Sequence, residues 1–280
     1  MAPKTVAIAG LGLMGGSLAA ACRRRFPGMR ILGVSRSRRA LADAKRRRWI
    51  HEGFTDIPAA FRRADLIVIC TPVDVIPKML RLAEKNAKPG TLVTDVGSIQ
   101  SQTLAAARRM KLRRIKFVPA HPMVGSHDRG LEAARLDLYA KGFGFVIRPA
   151  GVSKAAFSAV LNFWRRILKK VVPFEAGAHD RVVAAVSHLP HAAATALVMA
   201  LGPRDLKFVS TGFLDTTRVA QGDVSVWLPI FMGNRAAITQ ALRRYEGRLK
   251  KFRSILEHGK APELRRWLEK AARIRREISL

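Results

Sequence analysis

Short, almost continuously apolar runs alternate with amphipathic stretches through the first half of the chain. The runs are Thr5-Val6-Ala7-Ile8-Ala9, Ile31-Leu32-Gly33-Val34, Leu66-Ile67-Val68-Ile69-Cys70, Leu92-Val93-Thr94-Asp95-Val96, Phe117-Val118-Pro119-Ala120 and Phe145-Val146-Ile147. Their length and evenness are those of strands buried on both faces. Between them Ser17 to Cys22, Ile76 to Asn86 and Ser101 to Met110 place apolar residues at helical spacing. Alternating strands and helices predict a mostly parallel sheet covered on both sides, with ligands at the carboxyl ends of its strands. Thr71-Pro72, Gly97-Ser98 and His121-Pro122 put polar residues at such ends. After Phe174-Glu175-Ala176 helical periodicity takes over. Ile238, Leu242, Tyr245, Leu249, Phe252 and Leu256 form a stripe on a long helix, which Gly259 and Pro262 separate from a last helix bearing Leu264, Leu268, Ala271 and Ile278.

The first run feeds directly into Gly10-Leu11-Gly12-Leu13-Met14-Gly15, and a helix continues from there. Strand, G-x-G-x-x-G and helix in this order make a dinucleotide-binding turn. Gly10 permits the tight turn, Gly12 lets backbone approach a pyrophosphate, and Gly15 lets helix and strand pack closely. The candidate cofactor residues are Gly10, Gly12, Leu13, Met14 and Gly15, with Thr71 and Pro72. The second run ends in Ser35-Arg36-Ser37-Arg38-Arg39, and no carboxylate follows until Asp43. An NAD-specific fold carries an acid at this strand end to hold the ribose hydroxyls. Ser35, Arg36 and Arg38 instead suit a 2′-phosphate, so NADP is expected, with NAD as the alternative. The fold class expected is an α/β Rossmann-type dinucleotide-binding domain over residues 1–176, followed by an all-α dimerisation domain over 177–280.

With 280 residues, 49% of them apolar, the chain can fill two packed units. Cys22 and Cys70 cannot build a disulfide framework, which points to reduced thiols and a cytoplasmic location. The run ending at Cys22 superficially resembles a lipoprotein signal, but glycines break it into strand, turn and helix, and Arg23-Arg24-Arg25 follow. The apolar stretch Val182 to Leu201 contains His188, Pro190 and His191 and is expected to lack the uninterrupted length of a membrane span. Against 20 acidic residues stand 51 basic ones, a net charge of +31. Such a field attracts polyanions and makes a basic nucleic-acid-binding protein a rival reading. Yet the charges are spread over nearly every helical segment, with no zinc-ligand set, aromatic platform or reading helix. Solvated helix faces account for them, and no specific nucleic-acid partner is expected.

Six segments together resemble the prephenate and arogenate dehydrogenase family: Gly10-Leu-Gly-Leu-Met-Gly-Gly-Ser-Leu18, Cys70-Thr-Pro72, Asp95-Val-Gly-Ser98, His121-Pro-Met-Val-Gly-Ser126, Ser187-His-Leu-Pro-His191, and Thr217-Arg218 with Trp227. The first two occur in many related dehydrogenases; the last four, in family order, are the specific ones. The resemblance covers almost the whole chain and implies a homodimer. It implies oxidative decarboxylation of prephenate to 4-hydroxyphenylpyruvate, with hydride transfer to NADP, in tyrosine biosynthesis. Arogenate dehydrogenase, forming tyrosine directly, is the alternative, since the two substrates differ only in a keto or an amino group.

On this resemblance His121 engages the substrate's ring hydroxyl, and as a neutral imidazole it accepts that proton, with an acid limb near the ordinary histidine pKa of about 6.5. Ser98 is assigned to the same oxygen and is also expected to cap a helix starting near Ile99. Arg218 is the clamp for a substrate carboxylate, because a guanidinium stays charged and pairs bidentately. His191 and Asp180 are assigned to the substrate pocket, with His188 beside them and Trp227 as pocket wall or core. Hydride transfer needs no metal, and His188, His191 and Asp180 have no evident further ligand, so no metal site is expected. Gln100 stands where many relatives carry lysine, and no fused chorismate mutase or amino-acid-sensing domain is expected. A β-hydroxyacid dehydrogenase shares the glycine turn but requires a catalytic lysine in its helical half.

Overall fold

The computed structural model describes residues 3–125 and 128–278. Six parallel strands, β1 (Thr5–Ala9), β2 (Arg30–Val34), β3 (Glu52–Phe54), β4 (Leu66–Ile69), β5 (Leu92–Asp95) and β6 (Lys116–Phe117), lie in the order β3-β2-β1-β4-β5-β6. They are connected by α1 (Leu13–Arg25), α2 (Arg38–Arg46), α3 (Ile57–Arg63), α4 (Ile76–Asn86) and α5 (Ser101–Met110). Strand order reverses between β1 and β4, the switch point at which such sheets bind ligands. Successive strand residues point to opposite faces. Val6, Ile8, Leu66 and Val68 pack with Leu18 and Cys22 of α1 on one face. Ala7, Ala9, Ile67 and Ile69 pack with Phe61, Leu80 and Leu104 on the other.

The expected strand Phe117–Ala120 is in fact a crossing between two sheets. The chain leaves the first sheet after Phe117, and β7 (Ala120–Met123) begins a second one with β8 (Phe143–Ile147) and β9 (Lys170–Phe174). β7 runs antiparallel to β8, and β8 parallel to β9, with α6 (Lys154–Ile167) making the crossover. Pro119 has no N–H to offer a ladder, and the Ala120 amide donates to the Asp95 carboxylate at 2.9 Å instead of to a strand. Pro122 is tolerated because β7 is an edge strand. β3 and β9 were not anticipated: the first is three residues long, and the second carries Lys170 and Pro173 at a sheet edge.

Beyond β9 the chain is helical. α7 (Ala176–Val183), a π-helical turn at Ala184–His188 and α8 (Leu189–Met199) form one unbroken run, long and apolar enough to cross a membrane by length and composition alone. The expected interruption at Pro190 is thus corrected. Pro190 follows the π turn directly, and that turn, with its wider hydrogen-bond spacing, is where the run accommodates a residue that has no N–H to give. A 3-10 turn at Leu206–Phe208, α9 (Thr211–Thr217), a 3-10 turn at Arg218–Gln221 and α10 (Val224–Gly233) follow. The change from sheet to helix falls between β9 and α7, while packing within the first compact unit continues to residue 234. The second unit, residues 235–280, holds α11 (Arg235–Glu257) and α12 (Ala261–Glu277). These two meet through Lys251 and Glu263, 2.7 Å apart, and through the rings of Phe252 and Trp267. Ile238 and Ile255 of α11 are buried, whereas Tyr245, Leu249 and Leu256 stay exposed.

Candidate active site

β1 delivers the chain to Gly10, whose φ of +104° suits glycine. A Cβ on Gly15 would lie 1.9 Å from the Gly10 carbonyl oxygen, so α1 can sit this close only without one. Over Gly12 the space is open: a Cβ there would meet nothing within 4 Å. Gly12 heads α1 with no side-chain cap and no acid in the first turn. No side chain therefore competes for the Leu13 and Met14 amides at the positive end of the helix. Beside the turn, the buried hydroxyl of Thr71 has no partner among the described residues, and Pro72 follows it past the end of β4. Open space, uncapped amides and an orphaned hydroxyl together fit a dinucleotide.

At the end of β2 the Ser35 hydroxyl accepts from the Ser37 amide at 3.2 Å, and Ser37 caps α2 by accepting from Ala40 at 3.1 Å. Arg36 and Arg38 are exposed and, among the described residues, form no ion pair. Asp43, the first carboxylate after β2, is occupied by Arg46 and Arg47.

His121 lies in β7 and is buried. Its Nδ1 is 2.9 Å from Nε2 of His179, and Nδ1 of His179 is 2.8 Å from Asp180 Oδ1. The Asp180 carboxylate also accepts from the Gln100 amide at 2.9 Å and the Ser101 amide at 2.8 Å, closing the N-terminus of α5. Burial alone would raise the Asp180 pKa, but the hydrogen bonds from His179, Ser101 and Gln100 outweigh it and bring it below the usual carboxylate value. For His121 burial is the main cause of a pKa well below the ordinary histidine value, reinforced by His179 and His188. Burial likewise lowers His188 to about 4. Asn234 connects these groups, since its Nδ2 donates to the Asp180 carbonyl at 2.8 Å and lies 3.2 Å from His188 Nδ1.

A second group adjoins this one through His188, whose ring centre is 6.1 Å from that of Trp227. His191 stacks on Trp227 at 3.7 Å, and its Nδ1 is buried without a partner among the described residues. Trp227 is half-buried and forms a wall against His191 and Phe231. Arg218 heads the 3-10 turn that packs against α8. It is exposed and, among the described residues, unpaired. Ser98 is half-buried in the segment joining β5 to α5. Its expected capping role is corrected: α5 begins at Ser101, and Asp180 supplies the cap from a distant helix. Ser126 lies outside the described residues. His179 and Asn234 escaped the sequence reading. The histidine-carboxylate neighbours His179 and Asp180, buried on an apolar helix, were the signal that could have found the first. Among the described residues no three His, Cys, Asp or Glu side chains converge as metal ligands would.

A doubly covered parallel sheet with an open glycine turn, followed by helices, defines a Rossmann-type dinucleotide-binding protein. The sequence model described as prephenate dehydrogenase, nucleotide-binding domain, matches residues 18–173, and that described as prephenate dehydrogenase, dimerization domain, matches residues 175–270. The chain is 30% identical over 274 residues to the prephenate dehydrogenase of Bacillus subtilis (strain 168), covering 95% of this chain and 74% of that one. Prephenate dehydrogenase from A. aeolicus, solved with hydroxyphenyl propionate and NAD+, superposes with a TM-score of 0.90 at 27% identity, covering 99% of this chain and 98% of that one. Synechocystis arogenate dehydrogenase gives a TM-score of 0.84 at 25% identity, covering 98% and 99%. The chain belongs to the prephenate dehydrogenase family and is an oxidoreductase.

Proposed function

We propose that this protein converts prephenate to 4-hydroxyphenylpyruvate with NADP, as a cytoplasmic homodimer serving tyrosine biosynthesis. The observation that carries the reading is His121, a buried neutral imidazole whose Nδ1 is engaged by His179 while no described residue binds its Nε2. When bound, the nicotinamide supplies the hydride acceptor. Leu13 and Met14 amides would hold the pyrophosphate, and Thr71 and Pro72 flank it. As hydride leaves the ring carbon, His121 Nε2 accepts the hydroxyl proton and a ring carbonyl forms. Loss of the ring carboxylate as carbon dioxide then aromatises the ring, and the oxygen recovers the proton. One hydride and one carbon dioxide leave, with no net proton, so the chain needs mainly to position, desolvate and hold a proton briefly. Arg218 is the clamp for the side-chain carboxylate, Ser98 shares the hydroxyl, and His191, His188 and Trp227 line the pocket.

Arg36 and Arg38, unpaired among the described residues, with Ser35 beside them and the first carboxylate after β2, Asp43, taken by Arg46 and Arg47, support NADP over NAD. Met199, Phe208 and Val224, exposed by 79%, 76% and 72%, support a surface shared with a second copy. We read Ala176–Met199 as a helix of that assembly and not as a membrane span, because it buries Asp180, His179 and His188 in a hydrogen-bonded network. The free, buried Cys22 and half-buried Cys70 suit a reducing compartment.

The test is to supply purified protein with prephenate or arogenate and with either cofactor, following reduced nicotinamide. Prephenate with NADP should give the highest kcat/KM. His121→Asn should lower kcat by roughly two to four orders of magnitude. Faster turnover of arogenate, or an Asn variant with normal turnover, would refute the respective assignment.

A further inference from the structure

His121 does not act alone in the fold. We infer that His179 positions His121 and stores its proton: it fixes the tautomer that leaves His121 Nε2 bare, and receives a proton from His121 Nδ1 while the ring carbonyl exists. This rests on the reading of His121 as proton acceptor.

The assignment follows from donors and acceptors, starting at the one group whose role is unambiguous. The Asp180 carboxylate takes two backbone N–H bonds, from Gln100 and Ser101, and as an ionised carboxylate can only accept. His179 Nδ1, at 2.8 Å, must therefore carry a proton. In a neutral imidazole the other nitrogen is then an acceptor, and His179 Nε2 faces His121 Nδ1 at 2.9 Å. His121 Nδ1 must donate, so its Nε2 holds the lone pair. The opposite arrangement, with both His179 nitrogens protonated, would leave hydrogen on His121 Nε2 and no base for the substrate. That arrangement is the state after transfer.

The transfer balances. The substrate O–H bond breaks as His121 Nε2–H forms; His121 Nδ1–H breaks as His179 Nε2–H forms; aromatisation returns both protons along the same path, so no exit to solvent is required. A cation confined to His121 would be a buried charge without a counterion. On His179 it lies against Asp180, whose remaining hydrogen bonds come from the amides that open α5. Among the described residues, the further titratable groups are His188 of the π turn, which acts on His121, and Asp95 of β5, which binds the neighbouring Ala120 amide.

His179 is fully buried, and its ring lies edge-on to His121 and Phe145, 5.1 Å from each, so phenylalanine should fill its space. Histidine-labelled protein observed by 15N NMR should report His121 as the Nδ1–H tautomer in the wild type, without substrate or cofactor. That signature should disappear in His179→Phe. There kcat should fall on the order of ten- to a thousandfold, with KM for prephenate and NADP changed by no more than about twofold. His179→Gln, whose amide oxygen can accept from His121 Nδ1 but cannot take up a proton, should restore the tautomer and only part of kcat. Asp180→Asn should also slow turnover, and the double variant with His179→Phe should be little slower than the worse single one. An Nε2–H tautomer in the wild type, or a folded His179→Phe enzyme with normal kcat, would overturn the inference. Equal kcat in the Gln variant and wild type would overturn the proton store. Inactivity of the wild type on both substrates would refute the proposed function and the proton store with it, and the NMR result would still decide the tautomer.

Discussion

Asp95 is the residue whose replacement tests the energetics of this site most directly. It ends β5, is fully buried, and accepts from the Ala120 amide at 2.9 Å and the Gly97 amide at 3.3 Å. Among the described residues no cation pairs with it. Burial raises its pKa from 3.8 to about 7, against the pull of the Ala120, Gly97 and its own backbone amides. A raised folded-state pKa means that the native protein binds this proton more tightly than the unfolded chain. The stabilisation is complete below the unfolded value and is lost as pH rises through the folded one. With a rise from 3.8 to about 7, and about 1.36 kcal/mol per unit, the loss approaches about 4 kcal/mol. His188 opposes it: its pKa falls from 6.5 to about 4, so its contribution grows as pH rises over that interval. The wild-type profile mixes both effects, and only a difference profile isolates Asp95. Asp95→Asn keeps an acceptor for the Ala120 amide and removes the titration. Urea or thermal denaturation of both proteins from about pH 4 to about pH 8 should show the variant gaining on the wild type by up to about 4 kcal/mol, on the order of 10 °C in Tm for a chain of this size. A flat difference across that range, or one of opposite sign, would refute the reasoning.

Three further outcomes are expected. Arg218→Lys keeps the charge but loses the planar fork, and should raise KM for prephenate about tenfold while leaving KM for NADP unchanged in steady-state kinetics. A Ser35→Asp, Arg36→Ala double variant should reverse the cofactor preference by roughly ten- to a hundredfold in kcat/KM, because a carboxylate holds a free 2′-hydroxyl and repels a 2′-phosphate. On the proposed homodimer, Phe208→Asp places a charge on a strongly exposed apolar position and should shift sedimentation toward monomer relative to the wild type at equal concentration.

The glycine turn was readable because its chemistry is local: Gly10, Gly12 and Gly15 lie within six consecutive residues, and each constraint acts on a neighbour in the chain or the next strand. The histidine chain was not, because its partners lie 58 and 80 residues apart and share no periodicity. Asp180 illustrates the limit. Sequence resemblance puts it in the substrate pocket, and only the fold shows that its carboxylate also accepts from His179 and from the amides that open α5. Arg218 could not be singled out among 51 basic residues by composition; its exposed, unpaired state is visible only in three dimensions.

Gln100 shows how a departure from pattern acquires a physical meaning. Its buried side-chain amide donates to the Gly97 carbonyl at 2.7 Å and the Ala120 carbonyl at 3.2 Å. Asp95 accepts from the N–H groups of the same two residues. Four hydrogen bonds thus brace Gly97 and Ala120, which immediately precede Ser98 and His121, the two residues assigned to one substrate oxygen. A lysine at position 100 would bring a cation into this brace and favour ionised Asp95. Glutamine supplies the same donors without charge, so the acid is left to titrate near neutrality where burial puts it. The neutral amide and the raised carboxyl are therefore two sides of one choice, in which the loop and strand that carry Ser98 and His121 are held, among the described residues, by hydrogen bonds and not by an ion pair.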